Sequence, residues 1–474
     1  MPTPRRQTGS GGSLRRRRLL QWPAAALAVS PLERLVAQAS TDGGDVRLAL
    51  LIGNRVYPAP HDLPSIRKNV DDMAVALRLR GFDVSAHVDL DLPKSREAID
   101  LFAQKCKSAP DDAIVFFYFS GHGSQFEAKN LLVAAGVNPT AEPKAIQDGS
   151  IVLGPDVLDR VPRPARGLTV AVVDACRTSL KALAPGEGLN QVEAPTGCLI
   201  AFSTGAGKPA LAPAVENLNT FYTAALVKQL NDASDELTFS DLFRLAKLDT
   251  QRTMLNHPVA LIRQFAQYPF IAENLQVPVL LARHTPPPQT LPAPGASAPP
   301  TPAAPSGRFS GEEEARDWAD LQATLWPPDV VRLADAFMKR YPQSKLIGGA
   351  LVAREGANEA AELLQRGEIR LFRRSFDPSA GDEVYRSDLL KAARGDKDAA
   401  ARIGERLKTR ATSGPELSRF EGWMQYAAEL GNGIASYKLA LHYRENAQPQ
   451  PAARWEARAR ELGYNPPVAL GSKR

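Results

Sequence analysis

An unbroken apolar and aromatic run stands at Ala113-Ile114-Val115-Phe116-Phe117-Tyr118-Phe119 and stops at Ser120-Gly121-His122-Gly123. A run without polar alternation is typical of a strand that is buried on both faces of a sheet. A second apolar run, Leu168–Val173, stops in the same way at Asp174-Ala175-Cys176-Arg177. We therefore predict two central strands, each followed directly by residues that can carry chemistry.

The segments around these runs alternate between strand and helix patterns. Further strands are predicted at Val46–Ile52, Phe82–Val88 and Cys198–Phe202, with helical periodicity between them. This alternation predicts an α/β fold with a mostly parallel sheet flanked by helices. Because sites in such sheets form at the carboxyl ends of the strands, we expect His122 and Cys176 at one edge of the sheet.

The three cysteines indicate one reactive thiol rather than a framework. Cys106, Cys176 and Cys198 contain no C-x-x-C pair, so the sequence predicts neither a disulfide scaffold nor a metal site. Cys106 lies on the apolar face of a predicted helix and is expected in the core. A histidine near Cys176 would take its proton and make it a nucleophile. Taken singly, His122 and Cys176 could also be a loop residue and a small buried hydrophobe.

Composition excludes several classes of protein. The 474 residues are 44% hydrophobic and 23% charged, which fits two or three globular domains and excludes disorder throughout. Residues 1–39 hold seven arginines and one glutamate, so the rest of the chain is balanced at 51 basic and 51 acidic residues. The basic excess is an N-terminal feature, and it does not predict binding to nucleic acid.

The N-terminal residues 1–39 have the pattern of an export signal. Four arginines, Arg15 to Arg18, precede fourteen uncharged residues, and Ala37-Gln38-Ala39 has the form of a cleavage site. The segment resembles a bacterial twin-arginine signal, which implies a periplasmic or secreted protein. A disordered basic tail and an uncleaved anchor are the alternatives. No other apolar run approaches transmembrane length.

The second half of the chain reads as helical. Residues 286–305 contain nine prolines, which predicts a Pro/Ala-rich linker over about 276–307. Beyond it, residues 308–474 show helical periodicity without a convincing strand. Similar segments end at Gly395, Gly431 and Gly463, 36 and 32 residues apart. They resemble Sel-one-like repeats, related to tetratricopeptide repeats, over about 389–467, which implies a protein partner; a generic helical bundle is the alternative.

Residues 45–275 resemble the caspase and metacaspase cysteine peptidases, particularly the bacterial caspase-like proteins. The resemblance is carried by Leu50-Leu51-Ile52-Gly53-Asn54, by Phe117 to Gly123 and by Val173 to Arg177. It implies hydrolysis of peptide bonds with Cys176 as nucleophile and His122 as general base and acid. It also implies that the backbone N–H groups of Gly123 and Cys176 form the oxyanion hole. No third orienting side chain is assigned.

The metacaspase branch also suggests a substrate preference. Two acidic residues line its specificity pocket; Asp174 matches the one two positions before the nucleophile, whereas Asn69 stands where the other is expected. Asp72, one helical turn further, is the candidate replacement. We therefore expect cleavage after Arg or Lys, unless Asp174 merely caps a turn or pairs with Arg177.

These observations together predict an exported cysteine endopeptidase joined by a linker to an all-α repeat domain. It would act on a protein or peptide substrate without a resident cofactor; calcium activation, which some metacaspases require, is left open. The rival interpretation is a catalytically inactive caspase-like scaffold. Both His122 and Cys176 are present, which favours the enzyme, whereas the altered pocket favours the scaffold.

Overall fold

The computed structural model describes residues 46–126, 129–176, 192–205, 210–282, 311–410 and 414–464. The predicted export signal lies outside the described residues, as do residues 283–307 of the predicted linker. The described residues form a sheet domain, 46–282, and a helical domain, 311–464, and both belong to one compact unit.

The sheet of the sheet domain is mostly parallel. Its order is β2-β1-β3-β6-β7-β8, in which β1, β2, β3, β6 and β7 run parallel and β8 antiparallel. Strands β4 and β5 extend β3 as an antiparallel ribbon. The strands are β1 Arg47–Gly53, β2 Asp83–Val88, β3 Ile114–Phe126, β4 Lys129–Val133, β5 Ser150–Val152, β6 Leu168–Cys176, β7 Cys198–Phe202 and β8 Phe270–Asn274. The predicted fold class is confirmed.

Helices cover both faces of this sheet. They are α1 Ile66–Leu79, α2 Leu92–Lys107, α3 Pro143–Asp148, α4 Phe221–Asp232, α5 Phe239–Leu255 and α6 Ala260–Gln264. Alternate strand residues point to opposite faces. Phe116 and Val172 therefore pack with α1, α4 and α5, whereas Phe117 and Val173 pack with α2. Burial on both faces explains why the central strands read as unbroken apolar runs.

Local signals set the ends of these helices. Helix α1 is followed by Gly81 with φ of 80°, and the N–H groups of Gly81 and Phe82 donate to the carbonyls of Arg78 and Leu77 at 2.9 and 3.0 Å. This is a Schellman motif, which needs the left-handed residue that glycine supplies. In α2, Cys106 is buried as predicted, and burial raises the pKa of its thiol to about 12.

The sheet domain continues further along the chain than the sequence suggested. Leu281 donates its N–H to the carbonyl of Leu237 at 2.8 Å, and the buried Arg47 guanidinium donates to the carbonyl of Leu281 at 3.0 Å. Residues 276–282, which the sequence assigned to the linker, therefore pack on the sheet domain. Strands β4, β5 and β8 were not predicted, since short antiparallel segments of mixed polarity give a weak pattern.

The helical domain is an all-helical stack with its own core. Its α-helices are α7 Gly311–Ala323, α8 Pro327–Arg340, α9 Ile347–Gln365, α10 Glu383–Ala392, α11 Lys397–Arg410, α12 Gly414–Glu429, α13 Gly433–Glu445 and α14 Pro449–Glu461. Trp423, Phe420 and Leu439 lie in the main core cluster. Among the described residues no helix is both long enough and apolar enough to cross a bilayer.

The three recurring glycines occupy equivalent structural positions. Gly395, Gly431 and Gly463 follow α10, α12 and α14 with φ of 76°, 100° and 79°. In each case the glycine N–H donates to the carbonyl three residues back, and the next N–H donates to the carbonyl five residues before it. The glycines therefore end matching helices, because the same left-handed cap recurs at each. The Sel-one-like assignment of these helices stays a prediction.

Candidate active site

The sheet brings the two predicted catalytic positions side by side. In the parallel pair of β3 and β6, His122 is in register with Cys176, and Ser120 is in register with Asp174. Both strands reach this point because β3 and β6 continue past the apolar runs that predicted them. Residues 54 positions apart in the sequence therefore share one end of the sheet.

A backbone carbonyl orients the imidazole of His122. The Nε2 atom of His122 lies 2.8 Å from the carbonyl oxygen of His61, in the loop after β1. A carbonyl oxygen only accepts, so Nε2 carries the proton and Nδ1 is left as the proton acceptor in the neutral ring. Burial lowers the pKa of His122, while the bond to His61 opposes that shift. The ring is therefore poised in its neutral, basic form.

Tyr57 supports His122 from a second side. The His122 N–H donates to the Tyr57 hydroxyl at 3.1 Å, and this hydroxyl donates to the carbonyl of Val133 at 3.1 Å. The two rings meet edge to face with centroids 4.5 Å apart. Asn54 donates its amide to the same Val133 carbonyl at 3.1 Å. Tyr57 and His61 were not identified from the sequence, although both lie within seven residues of the Gly53-Asn54 motif.

Gly121 is required by this arrangement. A Cβ atom at Gly121 would lie 2.8 Å from the Tyr57 hydroxyl and 3.2 Å from the Asn54 carbonyl. Glycine at this position therefore admits the loop that orients His122. Gly123, the predicted oxyanion residue, is buried and pairs across with Leu132 of β4.

The predicted specificity residue Asp174 is buried and held by hydroxyl groups. Its Oδ2 atom accepts hydrogen bonds from Thr220 and, at 2.6 Å, from Thr223, at the start of α4. Only 2% of Asp174 is exposed. Burial raises the pKa of this carboxyl, and the hydroxyl bonds limit the rise. Its alternative partner, Arg177, lies outside the described residues.

Asn69 is connected to Asp174 through Thr220. The Asn69 amide donates to the hydroxyl groups of Ser120 and Thr220, each at 3.1 Å, and its carbonyl accepts the Thr220 N–H at 3.1 Å. Asn69 and Asp174 are thus joined, and a neutral amide suits this position beside a buried carboxylate. Thr220 was not identified from the sequence.

Asp72 lies on the same helix but in a different environment. Its carboxylate binds the ammonium of Lys68 at 2.8 Å and accepts from the Asn219 amide at 2.7 Å. The side chain is about one-third exposed, at 32%. The structure therefore connects Asp72 to the residue before Thr220 and shows no contact between Asp72 and Asp174.

A further hydroxyl group, that of Ser203, lies beside Asp174 and lowers the pKa of its carboxyl through a hydrogen bond. Ser203 follows β7, and its N–H donates to the carbonyl of Val173 at 3.0 Å. The side chain of Ser203 is buried, as is that of Thr204, the next residue. A buried hydroxyl next to a carboxylate suits a ligand with N–H donors. The described residues contain no group of three or more metal-ligating side chains.

Comparison with known proteins identifies the sheet domain. Residues 46–280 match the family of the caspase domain, Peptidase_C14, so the chain carries a caspase domain with the fold of a cysteine peptidase. The crystal structure of caspase-1 from Spodoptera frugiperda is similar at 18% identity and a TM-score of 0.39. That match covers 51% of this chain and 93% of the other. No curated protein sequence matches the chain.

Proposed function

We propose that this protein is a cysteine endopeptidase that uses a Cys176–His122 dyad. The observation that carries the proposal is the register of β3 and β6, which pairs the backbone positions of His122 and Cys176 at the carboxyl end of the sheet. The hydrogen bond from His122 to the His61 carbonyl adds the orienting group that a general base requires. The caspase domain supplies a cysteine-peptidase fold around it.

The proposed reaction uses the neutral imidazole twice. Nδ1 of His122 takes the proton of the Cys176 thiol, and the thiolate attacks the substrate carbonyl carbon. The backbone N–H groups of Gly123 and Cys176 stabilise the oxyanion. His122 then gives its proton to the leaving amine, and the peptide C–N bond breaks to leave a thioester. Finally His122 takes a proton from water, which attacks the thioester and releases the acid and the thiol.

The proposed substrate residue before the scissile bond is Arg or Lys. Asp174 stands two positions before Cys176, and its Oδ2 atom is fixed by Thr220 and Thr223. The Ser203 hydroxyl beside this carboxylate accepts a further N–H group of the substrate side chain. A charge-assisted contact of this kind is worth about 1.5–3 kcal/mol, or a preference of about ten- to a hundredfold.

Labelling of the thiols separates this proposal from an inactive scaffold. Cys106 and Cys198 are buried, and burial raises the pKa of their thiols to about 12 and about 11, so both should react slowly with iodoacetamide. We expect a peptidyl-arginine ketone to modify Cys176 rapidly in the wild type and more slowly in His122→Ala. Equal labelling of the Cys176→Ala protein, or no hydrolysis of arginyl peptides, would favour the scaffold.

The other proposals concern location and partners. We propose export through residues 1–39, which N-terminal sequencing of the native protein would test by finding a start near Ser40. A start at the initiator region would contradict it. We also propose that the helices at 389–467 bind a protein partner, with the left-handed caps at Gly395, Gly431 and Gly463 as support for stacked repeats.

A further inference from the structure

Strand β8 is one of the two edge strands of the main sheet, with one edge paired with β7 and one edge turned outward. The carbonyl of Asn274 accepts the Gly197 N–H at 2.8 Å on the inner side. Because backbone groups alternate along an antiparallel strand, the carbonyls of Ile271 and Glu273 point to the outer side. An outer edge of this kind is a template for pairing with another strand.

Basic side chains of the helical domain occupy this outer edge. Lys397 donates to the carbonyl of Ile271 at 2.7 Å, and Arg402 donates to the carbonyl of Glu273 at 3.4 Å. The next outward carbonyl, that of Leu275, accepts from Lys391 at 2.6 Å. Three successive outward carbonyls therefore receive a charged donor. These donors come from the end of α10 and from α11.

Further contacts hold these donors in place. The Lys397 ammonium lies 4.4 Å from the centroid of the Phe270 ring, and the side chain is only 13% exposed. Beside it, the Arg244 guanidinium of α5 binds Glu273 of β8 at 2.6 Å and Asp396 of the helical domain at 3.2 Å. Asp396 in turn caps α11 by accepting the N–H of Ala399 at 2.8 Å.

Apolar contacts reinforce the same junction. Val352 of α9 belongs to the core cluster that includes Leu237 and Leu245 of the sheet domain. At Gly348, a Cβ atom would lie 2.9 Å from Leu237 and 3.1 Å from Leu245. Helix α9 therefore sits close against the sheet domain.

We propose that the helical domain is an intramolecular edge cap, which closes β8 to strand pairing with a second copy of this chain. The lysine and arginine donors of the helical domain bind the outward carbonyls of β8. They thereby replace the hydrogen bonds that a neighbouring strand would make. Lysine is well suited to this role because its charge opposes the approach of another strand. If the cap is loosened, β8 becomes the surface through which two copies associate.

The first test uses the intact chain. In Lys391→Met/Lys397→Met, the side chains keep their approximate length and lose their donors, so hydrogen exchange at residues 270–275 should become about tenfold or more faster. The control, Lys408→Met/Lys438→Met, removes two lysines of the same domain that make no hydrogen bond to β8 among the described residues and should leave this exchange unchanged. Unchanged exchange in the Lys391/Lys397 variant would overturn the proposal.

The second test measures association. A protease site introduced within residues 286–305 allows the linker to be cut, after which light scattering reports whether the two domains stay together. We expect one copy of each half in the wild type. In the Lys391/Lys397 variant, the dissociation constant of the two halves should be about a hundredfold or more above that of the wild type. The released sheet domain should then pair with a second copy of itself.

The substitution Ile271→Pro then tests whether the two copies pair through the outer edge of β8. It removes an outward N–H, at a position where edge strands tolerate proline. This change should restore a monomeric sheet domain when it is added to the cut Lys391/Lys397 variant. A released, folded sheet domain that stays monomeric without Ile271→Pro would overturn the proposal. Association that persists with Ile271→Pro would place the contact elsewhere and overturn it equally.

Discussion

The Nε2 atom of His122 lies 2.8 Å from the carbonyl oxygen of His61, so a main-chain group fixes which nitrogen of the catalytic candidate carries the proton. A carbonyl does not titrate, so it selects this tautomer whenever the His122 ring is neutral. Burial is the larger influence on the ring and lowers the pKa of His122.

The acid limb of the activity profile should reflect this lowered pKa. His122 accepts a proton only when it is neutral, and a lowered pKa keeps it neutral to a lower pH than an ordinary histidine. We expect kcat/KM for an arginyl peptide to fall on the acid side with a midpoint below the ordinary value of 6.5. A midpoint above 6.5, measured where circular dichroism shows a folded protein, would contradict the assignment of His122 as the base.

Tyr57→Phe should lower both stability and activity. The substitution removes the hydroxyl that joins the His122 N–H to the Val133 carbonyl, and it leaves the His122 N–H without its partner, whereas the carbonyl keeps its bond from Asn54. We expect the free energy of unfolding to fall by about 1–3 kcal/mol in a urea titration. Since the backbone of His122 loses a support, kcat should fall as well. The control Tyr268→Phe changes an exposed tyrosine and should affect neither quantity.

Asp174→Asn should abolish the preference for Arg without unfolding the protein. Burial raises the pKa of Asp174, so the fold disfavours its charged form and should tolerate a neutral side chain of the same shape. Fluorogenic peptides that differ only in Arg or Gln before the bond should show a loss of about ten- to a hundredfold in selectivity. In the wild type this selectivity should weaken as the pH falls through the raised pKa, above 3.8.

Two variants test whether Asp72 or Asn69 contributes to selectivity beside Asp174. Asp72→Asn should change selectivity less than Asp174→Asn, because Asp72 is bound to Lys68 and Asn219 rather than to the Asp174 group. Asn69→Ala should disturb selectivity through Thr220, which it holds. A larger effect of Asp72→Asn than of Asn69→Ala would instead locate a displaced second carboxylate at Asp72.

Gly356→Ala should destabilise the helical domain. A Cβ atom at Gly356 would lie 2.1 Å from the carbonyl oxygen of Arg394, so the two backbones would have to separate. The free energy of unfolding should fall by about 1–3 kcal/mol, despite the gain in helix propensity that alanine brings. Gly154→Ala meets no atom within 4 Å and is the matched control in the same thermal denaturation experiment. Equal stability of the two variants would contradict this reading of the contact.

The sequence predicted the central sheet and the neighbouring positions of His122 and Cys176 for the same physical reason. Buried strands leave long apolar runs, and the residue after each run marks an edge of the sheet, so His122 and Cys176 were found without knowing the register. The orienting group was not predictable in this way. His61 contributes a backbone carbonyl, and every residue has one, so only the folded loop identifies it.

The contacts around Asp174 were not predictable from the sequence, because they depend on the distance between elements. Thr220 is an ordinary N-cap residue in the sequence, and only the packing of α4 against α1 and β6 joins it to Asn69 and Asp174. The boundary of the sheet domain was missed for a similar reason. Leu281 looks like linker sequence, and its burial depends on Leu237 and Arg47.

The presence of Val352 in the core of the sheet domain bears on how the chain folds during synthesis. The ribosome releases Leu237 and Leu245 more than a hundred residues before Val352 emerges. Until then, the nascent sheet domain lacks part of its core and has no partner for the outer edge of β8. Folding of the sheet domain is thus completed from the C-terminal side, and a ribosome stalled within the linker would hold a chain that chaperones must shield.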